Sequence, residues 1–222
     1  KKYGKYIIAT NKNELSNLEA ILIQGKKNNV EISKVLNEKV LEHNPGLIFH
    51  KALFSPNSGV IDVPEYVTAL EGDIQHFGGL ISLRTSFISA KSKGDKFLVS
   101  CSAEEEFSIE SKYLINCSGL NNEETLANIR YFPKDKIYRN YFAKGHYYKY
   151  SGKSPFSNLI YPVSGKHSLG IHVGFDLAGG TRFGPDVEFV NEMLRISRRP
   201  EAGGTGGSGA GAAPSPTEAF LS

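Results

Sequence analysis

The feature that most limits what this chain can fold into is a change of texture along its length. Up to about residue 130, apolar residues recur at both helical and strand spacing, and glycines close the segments. From Tyr138 onward, aromatic-rich runs follow one another, separated by Gly, Ser and Pro. Strands interleaved with helices build an α/β layer, whereas short strands joined by turns build an antiparallel sheet. The expected class is therefore α/β (α+β), divided near Arg130 to Lys136 into residues 1–135 and 136–197.

Within the first part, Tyr6-Ile7-Ile8-Ala9 reads as an opening strand. Leu15, Leu18, Leu22 and Ile23 lie at helical spacing, with Gly25 placed as a C-cap. Residues 32–45 read as a shorter helix ended by Asn44-Pro45, and 47–54 as a strand. The best local signal is Asp62-Val63-Pro64-Glu65, a capping box that opens a helix with Val63, Val67, Leu70, Ile74 and Phe77 on one face. Gly78-Gly79 ends it. A hairpin follows over 80–90 and 96–102, then a short apolar strand, Tyr113 to Cys117, that runs into Ser118-Gly119. In the second part, strands are expected over 138–150, 159–163, 169–175 and 181–183.

Forty per cent of the 222 residues are hydrophobic, enough to bury a core. The net charge of +3 is spread over scattered lysines, without the basic stripe that nucleic acid requires. Cys101 and Cys117 lack the paired spacing of a zinc site and read as buried thiols, and no metal is expected. No apolar run approaches the roughly twenty residues that cross a bilayer. From about Arg198 the chain becomes Gly, Ala, Pro, Ser and Thr, so 198–222 is expected to be a disordered tail. Its Gly204-Thr205-Gly206-Gly207-Ser208-Gly209 satisfies the dinucleotide pattern formally, but no buried strand delivers the glycines and no helix follows.

There is no nucleophile elbow, phosphate loop or paired metal-binding histidine. Among six histidines, His172 stands out because it lies within Leu169-Gly170-Ile171-His172-Val173. On residues alone it is ordinarily a core histidine satisfied by a backbone carbonyl. Strand alternation puts Lys144, His146 and Tyr148 on one face and Tyr147 on the other. That face can hold a carboxylate or simply meet solvent. Arg182 before Gly184-Pro185-Asp186 reads as a turn, and Cys117-Ser118-Gly119-Leu120 as either a tight turn or a backbone cradle at a strand end.

Taken in order, six segments resemble the FAD-dependent L-2-hydroxyglutarate dehydrogenases and oxidases, a branch of the D-amino-acid-oxidase-like flavoproteins. They are 56–62, 115–120, 143–148, 159–163, 169–173 and 182–186, beginning with Pro56-Asn57-Ser58-Gly59 and ending with Arg182-Phe183-Gly184-Pro185-Asp186. The resemblance runs over residues 1 to 191. It implies a partial Rossmann-like FAD domain, with helices inserted from an antiparallel substrate domain. It implies that Phe87, Cys117, Ser118, Gly119 and Leu120 lie along the nucleotide part of FAD, and that Lys144, Tyr147, Tyr161 and His172 cover the flavin ring.

The implied chemistry is oxidation of a small-molecule 2-hydroxyacid, L-2-hydroxyglutarate to 2-oxoglutarate, with hydride passing to the flavin. His172 is the expected base, and Lys144 or Arg182 the expected carboxylate partner. An amine-oxidising relative and a non-catalytic interaction module are the competing readings. The electron acceptor is left open among a quinone, another carrier and oxygen. So is the location, cytoplasmic or peripheral to a membrane in a bacterium and mitochondrial in a eukaryote. Intact members open with a strand, a glycine-rich loop and a helix that grip the pyrophosphate, and close with a segment over the flavin. Neither is found here, so the chain is expected to be a fragment that binds FAD weakly and turns over no substrate.

Overall fold

The computed structural model describes residues 1–164 and 170–190. The proposed tail and its glycine pattern lie outside the described residues. The chain divides into two compact units, one built from Lys1–Tyr66 and Ala143–Glu188, the other from Val67–Phe142 with 189–190. This differs from the division at 135/136 read from texture. The opening segment belongs with the aromatic-rich strands.

In the first unit the elements are β1 (Lys5–Ala9), α1 (Leu15–Lys27), β2 (Ser33–Val35), α2 (Asn37–His43) and β3 (Lys51–Ser55). After the second unit come β7 (Phe142–Lys149), β8 (Leu159–Pro162), β9 (His172–Phe175) and β10 (Thr181–Val190). They form one seven-stranded sheet in the order β2-β3-β1-β8-β9-β10-β7. β1 runs antiparallel to β3 but parallel to β8, so the expected antiparallel sheet is a mixed one. A parallel neighbour is reached only through a long crossover, which local pattern does not announce.

Alternation along β1 explains the two layers of core. Tyr6 and Ile8 face Val40, Ala52, Ile160, Val173, Phe175 and Phe183, all buried. Ala9, on the other side, meets Leu18 and Leu22 of α1 together with Leu53 and Val163. Of the α1 periodicity, Leu18 and Leu22 form the buried stripe while Leu15 and Ile23 are exposed, and Gly25 is no cap: the helix continues to Lys27, and Asn29 takes the left-handed turn at φ 55°. Gly25 is required by packing, because a Cβ there would lie 2.9 Å from Ile32 Cγ2. The expected helix over 32–45 begins only at Asn37. β2 occupies its first turn, since pairing with β3 satisfies those backbone groups and suits Val35.

Asn44, fully buried, follows α2. Its Nδ2 donates to the Val40 carbonyl at 3.1 Å and to Asn158 Oδ1 at 3.2 Å, and its Oδ1 accepts from the Ser157 amide at 3.1 Å. Asn158 in turn donates to the Tyr3 carbonyl at 2.7 Å. Two carboxamides therefore join the approach to β1, the end of α2 and the approach to β8.

The second unit holds most of α3 (Val63–His76), then β4 (Ser86–Lys93), β5 (Lys96–Ser102), β6 (Glu106–Ser111) and α4 (Asn122–Ala127). Asp62 Oδ1 accepts from the Glu65 amide at 3.1 Å, and the helix closes through Gly79 N–H to the Ile74 carbonyl with Gly78 at φ 78°. Its apolar face is real but uncovered: Val63 and Val67 are 55% exposed and Phe77 84%. The hairpin forms as β4 and β5, with β6 as a third strand that alternation did not reveal. Residues 113–117 are no strand. Leu114 packs inward while Tyr113 and Ile115 are each 80% exposed, and no neighbouring strand pairs with them among the described residues.

Asn44→Ala removes three hydrogen bonds and leaves Asn158 and the Ser157 amide short of partners in the interior, at a cost of about 2–4 kcal/mol. A urea titration should show a lowered midpoint of that size, whereas Asn28→Ala at the exposed end of α1 should change it by less than about 1 kcal/mol.

Candidate functional site

Register across four strands sets the site. Ile160 pairs with Val173, which places Tyr161 opposite His172, and His172 is opposite Gly184. Paired residues share a face, so Tyr161, His172 and Gly184 lie in one row on the side away from Val173 and Phe183. Gly184 lets β7 close in. A Cβ there would lie 2.6 Å from the His146 carbonyl and 2.8 Å from the Tyr147 ring, so Tyr147 lies across bare backbone.

His172 is 6% exposed. Its ring stacks on Tyr161 with centroids 4.1 Å apart at 17°, and Tyr147 meets it edge-on at 5.9 Å. Tyr147 Oη lies 3.5 Å from Nε2. Nδ1 is buried with no well-directed partner, although the Gly170 backbone is near enough to favour the protonated ring. Burial dominates and lowers the imidazole pKa below the ordinary value, and the Lys5 ammonium lowers it further. Neutral His172 is therefore the form near pH 7. Burial, reinforced by Tyr147, raises the Tyr161 pKa, so that hydroxyl keeps its proton.

The other residues singled out from sequence are distributed unevenly. Tyr147 and Tyr161 meet His172. Lys144 lies three residues before Tyr147 on β7, hence on the strand's other face, as alternation predicts. Arg182 shares the His172 face, one pair further along opposite Gly174, but its Nη2 turns to the Phe175 carbonyl at 3.4 Å and its charge supports the Asp176 carboxylate. Sequence reading overlooked Lys5. Its Nζ sits 5.0 Å from the centre of the Tyr161 ring, and only the β1–β8 pairing brings it there.

In the second unit, Ser86, Phe87, Ser118, Asn121, Glu124, Thr125 and Asn128 line a cleft of about 300 Å³. Two residues expected along a nucleotide, Phe87 and Ser118, thus line one cleft. β4 carries a bulge between Phe87 and Ser89, a device that commonly re-aims a strand beside a site. Ser118 is fixed by Asn116, whose Oδ1 accepts from its amide at 3.1 Å and its hydroxyl at 2.7 Å, and by the Thr125 hydroxyl at 3.0 Å. Gly119 follows at φ 58° with open space where a Cβ would stand. Cys117 is exposed instead of buried, and Leu120 is half-exposed.

The cleft is polar, lacks a cation, and falls at the lower end of the roughly 300–1,000 Å³ usual for small-molecule sites. It fits the uncharged nucleoside end of FAD. Hydroxyl and amide side chains can bond a ribose and Phe87 can lie against a base, whereas Glu124 disfavours a pyrophosphate. Among the described residues no group of three metal-ligating side chains occurs, and no helix is long and apolar enough to cross a membrane.

This chain belongs to the FAD dependent oxidoreductase family, whose model matches residues 1–219. FAD is the family's cofactor. More particularly, it is 26% identical over 221 aligned positions to the mitochondrial L-2-hydroxyglutarate dehydrogenase of Arabidopsis thaliana, covering 86% of this chain and 46% of that one. It likewise resembles the L-2-hydroxyglutarate dehydrogenase of Indibacter alkaliphilus, at 26% identity over 83% of this chain and 46% of the relative. The chain thus spans about half the length of the curated relatives it matches. The fold matches FAD-bound L-alpha-glycerophosphate oxidase of Mycoplasma pneumoniae with a TM-score of 0.73 at 20% identity, over 86% of this chain and 51% of that chain.

The neutral imidazole has a measurable consequence. Unfolded, His172 takes its proton at the ordinary value of 6.5, and folded at a lower one, so the unfolded chain holds more protons between the two. The stability that depends on neutral His172 is full above pH 6.5 and declines as pH falls through the folded value. Urea midpoints taken between about pH 7.5 and pH 5 should therefore fall less steeply in His172→Gln than in the unaltered chain.

Proposed function

We propose that this chain forms part of an FAD-linked 2-hydroxyacid oxidoreductase that converts L-2-hydroxyglutarate to 2-oxoglutarate. The observation that carries this reading is a neutral, buried imidazole held between two tyrosines on one sheet face. The names of the two relatives support the choice of substrate. In this reading the His172 sheet belongs to the substrate-covering part, and the Phe87 and Ser118 cleft takes the nucleoside, with Cys117, Gly119 and Leu120 beside it.

Oxidising a secondary alcohol removes a proton from oxygen and a hydride from carbon. FAD, when bound, accepts the hydride. His172 receives the hydroxyl proton at Nε2, the nitrogen that faces the Tyr147 hydroxyl. Stacking on Tyr161 fixes the plane of the imidazole, and Tyr147 covers its edge against water. The lowered pKa keeps the base unprotonated at neutral pH, which is the form the step needs. Arg182 approaches a substrate carboxylate only by leaving the Phe175 carbonyl, and Lys144 serves from the other face of β7 only if the strand twists. Both therefore contribute less than His172.

Anaerobic mixing of the full-length gene product with L-2-hydroxyglutarate should bleach its flavin, and His172→Gln should slow the bleaching by about 10²–10⁴-fold while leaving bound flavin unchanged. Bleaching by glycine or sarcosine in place of the hydroxyacid would assign an amine oxidase instead. No bleaching by either, in a protein that binds no flavin, would assign an interaction module.

A further inference from the structure

At the end of the sheet away from β7, β2 is the outermost strand, and among the described residues no strand pairs with its other edge. Register shows which groups that edge presents. The Ile8 carbonyl accepts from the Val163 amide, on the β8 side of β1. Adjacent residues of a strand turn their backbone to opposite sides, so Ile7 and its partner Leu53 bond each other. By the same alternation Ala52 and Phe54 bond Val35 and Ser33 on β2. Lys34, between those two, sends its N–H and its carbonyl outward. That pair is what one residue of an added antiparallel strand would complete.

The side chains beside this edge are arranged for a guest. A cavity lies on each face of the sheet, and Lys34, Val35 and Leu36 line both. The one on the α1 face, about 390 Å³, has Leu15, Leu18 and Leu53 in its wall. The one on the α2 face, about 560 Å³, mixes Tyr6 and Phe54 with Lys39, Glu42 and His43. Leu36, at the mouth of both, is 66% exposed. A residue set beside Lys34 shares its face, so its side chain enters the apolar α1-side cavity and its two neighbours face the polar one. Charge narrows the choice further. Lys34 is paired with Glu19 at 2.8 Å, but Lys51, which lines the same cavity, has no carboxylate partner among the described residues. A second copy of β2 suits the edge poorly, because antiparallel pairing about Lys34 sets that ammonium against its own copy. We propose that the β2 edge takes an extended peptide segment of a partner protein, with a large aliphatic residue beside Lys34 and a carboxylate two residues along, near Lys51. Main-chain bonds to Lys34 align the segment, and the two cavities select its alternate side chains.

The probe is a short fluorescein-labelled peptide, blocked at both ends, with leucine at its centre, a threonine on each side and a glutamate at each end. Its anisotropy, titrated with the 222-residue chain, should show saturable binding below about 1 mM. The Lys34 amide should exchange with deuterium about ten-fold more slowly in the complex than in the free chain. Methylating the nitrogens of the leucine and both threonines removes the donors that an added strand needs, and should weaken binding by about ten-fold or more. Lys34→Pro removes the outward donor and spares the bonds of Ser33 and Val35 to β3, so it should weaken binding as much. Lys34→Gln keeps the donor and should change binding by less than about three-fold. Lys51→Gln should weaken the glutamate peptide by about three-fold and leave a glutamine version unchanged. If Lys34→Pro disturbs the amide spectrum, the methylated peptide carries the same test on the unaltered chain. Absence of saturable binding, or binding that survives methylation, overturns strand addition. Equal binding of the glutamate and glutamine peptides overturns the part given to Lys51. A dimer in sedimentation equilibrium that Lys34→Gln strengthens and Lys34→Pro splits gives the edge to a second copy and overturns the partner peptide.

Discussion

The buried Asn44 carboxamide governs how the first unit assembles. With Asn158 it supplies hydrogen bonds to the approaches of β1 and β8, two strands more than 150 residues apart that must lie parallel with no turn between them. Interior carboxamides are tolerable only when both ends are satisfied, so this pair discriminates strongly against a slipped register. A shift of one residue in β8 would send Tyr161 to the core side and Ile160 to the open face. Everything built on the row from Lys5 to Tyr147 inherits its alignment from that constraint.

Burial and close packing then determine the chemistry of the row. An imidazole this enclosed disfavours its own charged form, and the nearby ammonium adds to the effect. Gly184 contributes by what it lacks, because only bare backbone allows the Tyr147 ring to cross β10 and reach His172. Two tyrosines, one neutral base and one cation thus come from four strands without any sequence motif that spans them. The nucleoside-sized cleft of the second unit is built differently, from a bulged strand and short turns whose side chains hold one another.

Local signals were read correctly where one element satisfies its own demands. Leu18 and Leu22 of α1, the Asp62 cap, the Gly78-Gly79 stop and the opposed faces of Lys144 and Tyr147 are of this kind. Gly25 misled because its reason is contact with Ile32, not a turn. Residues 32–36 misled because β3 offered their backbone a better partner than a helix did. The run at 113–117 has strand alternation without a ladder to join among the described residues. His172 was visible as an oddity in an apolar strand, yet its partners depend on register. Lys5 carried no signal at all, since a lysine that alternates into a strand is ordinarily just exposed.

Among the described residues, the buried cluster of the second unit consists of Ala90, Val99 and Cys101, and much of the unit's apolar surface, from Phe77 to Ile115, faces outward. A segment with so little interior opens more readily than the rest of the chain. Occupancy of its cleft and integrity of its fold are consequently one equilibrium. A nucleotide present at a hundred times its dissociation constant would add about 2.7 kcal/mol to a folded form that alone can bind it. On the proposed reading, a nucleoside seated in this polar cleft would support the fold of the second unit as well as place the cofactor.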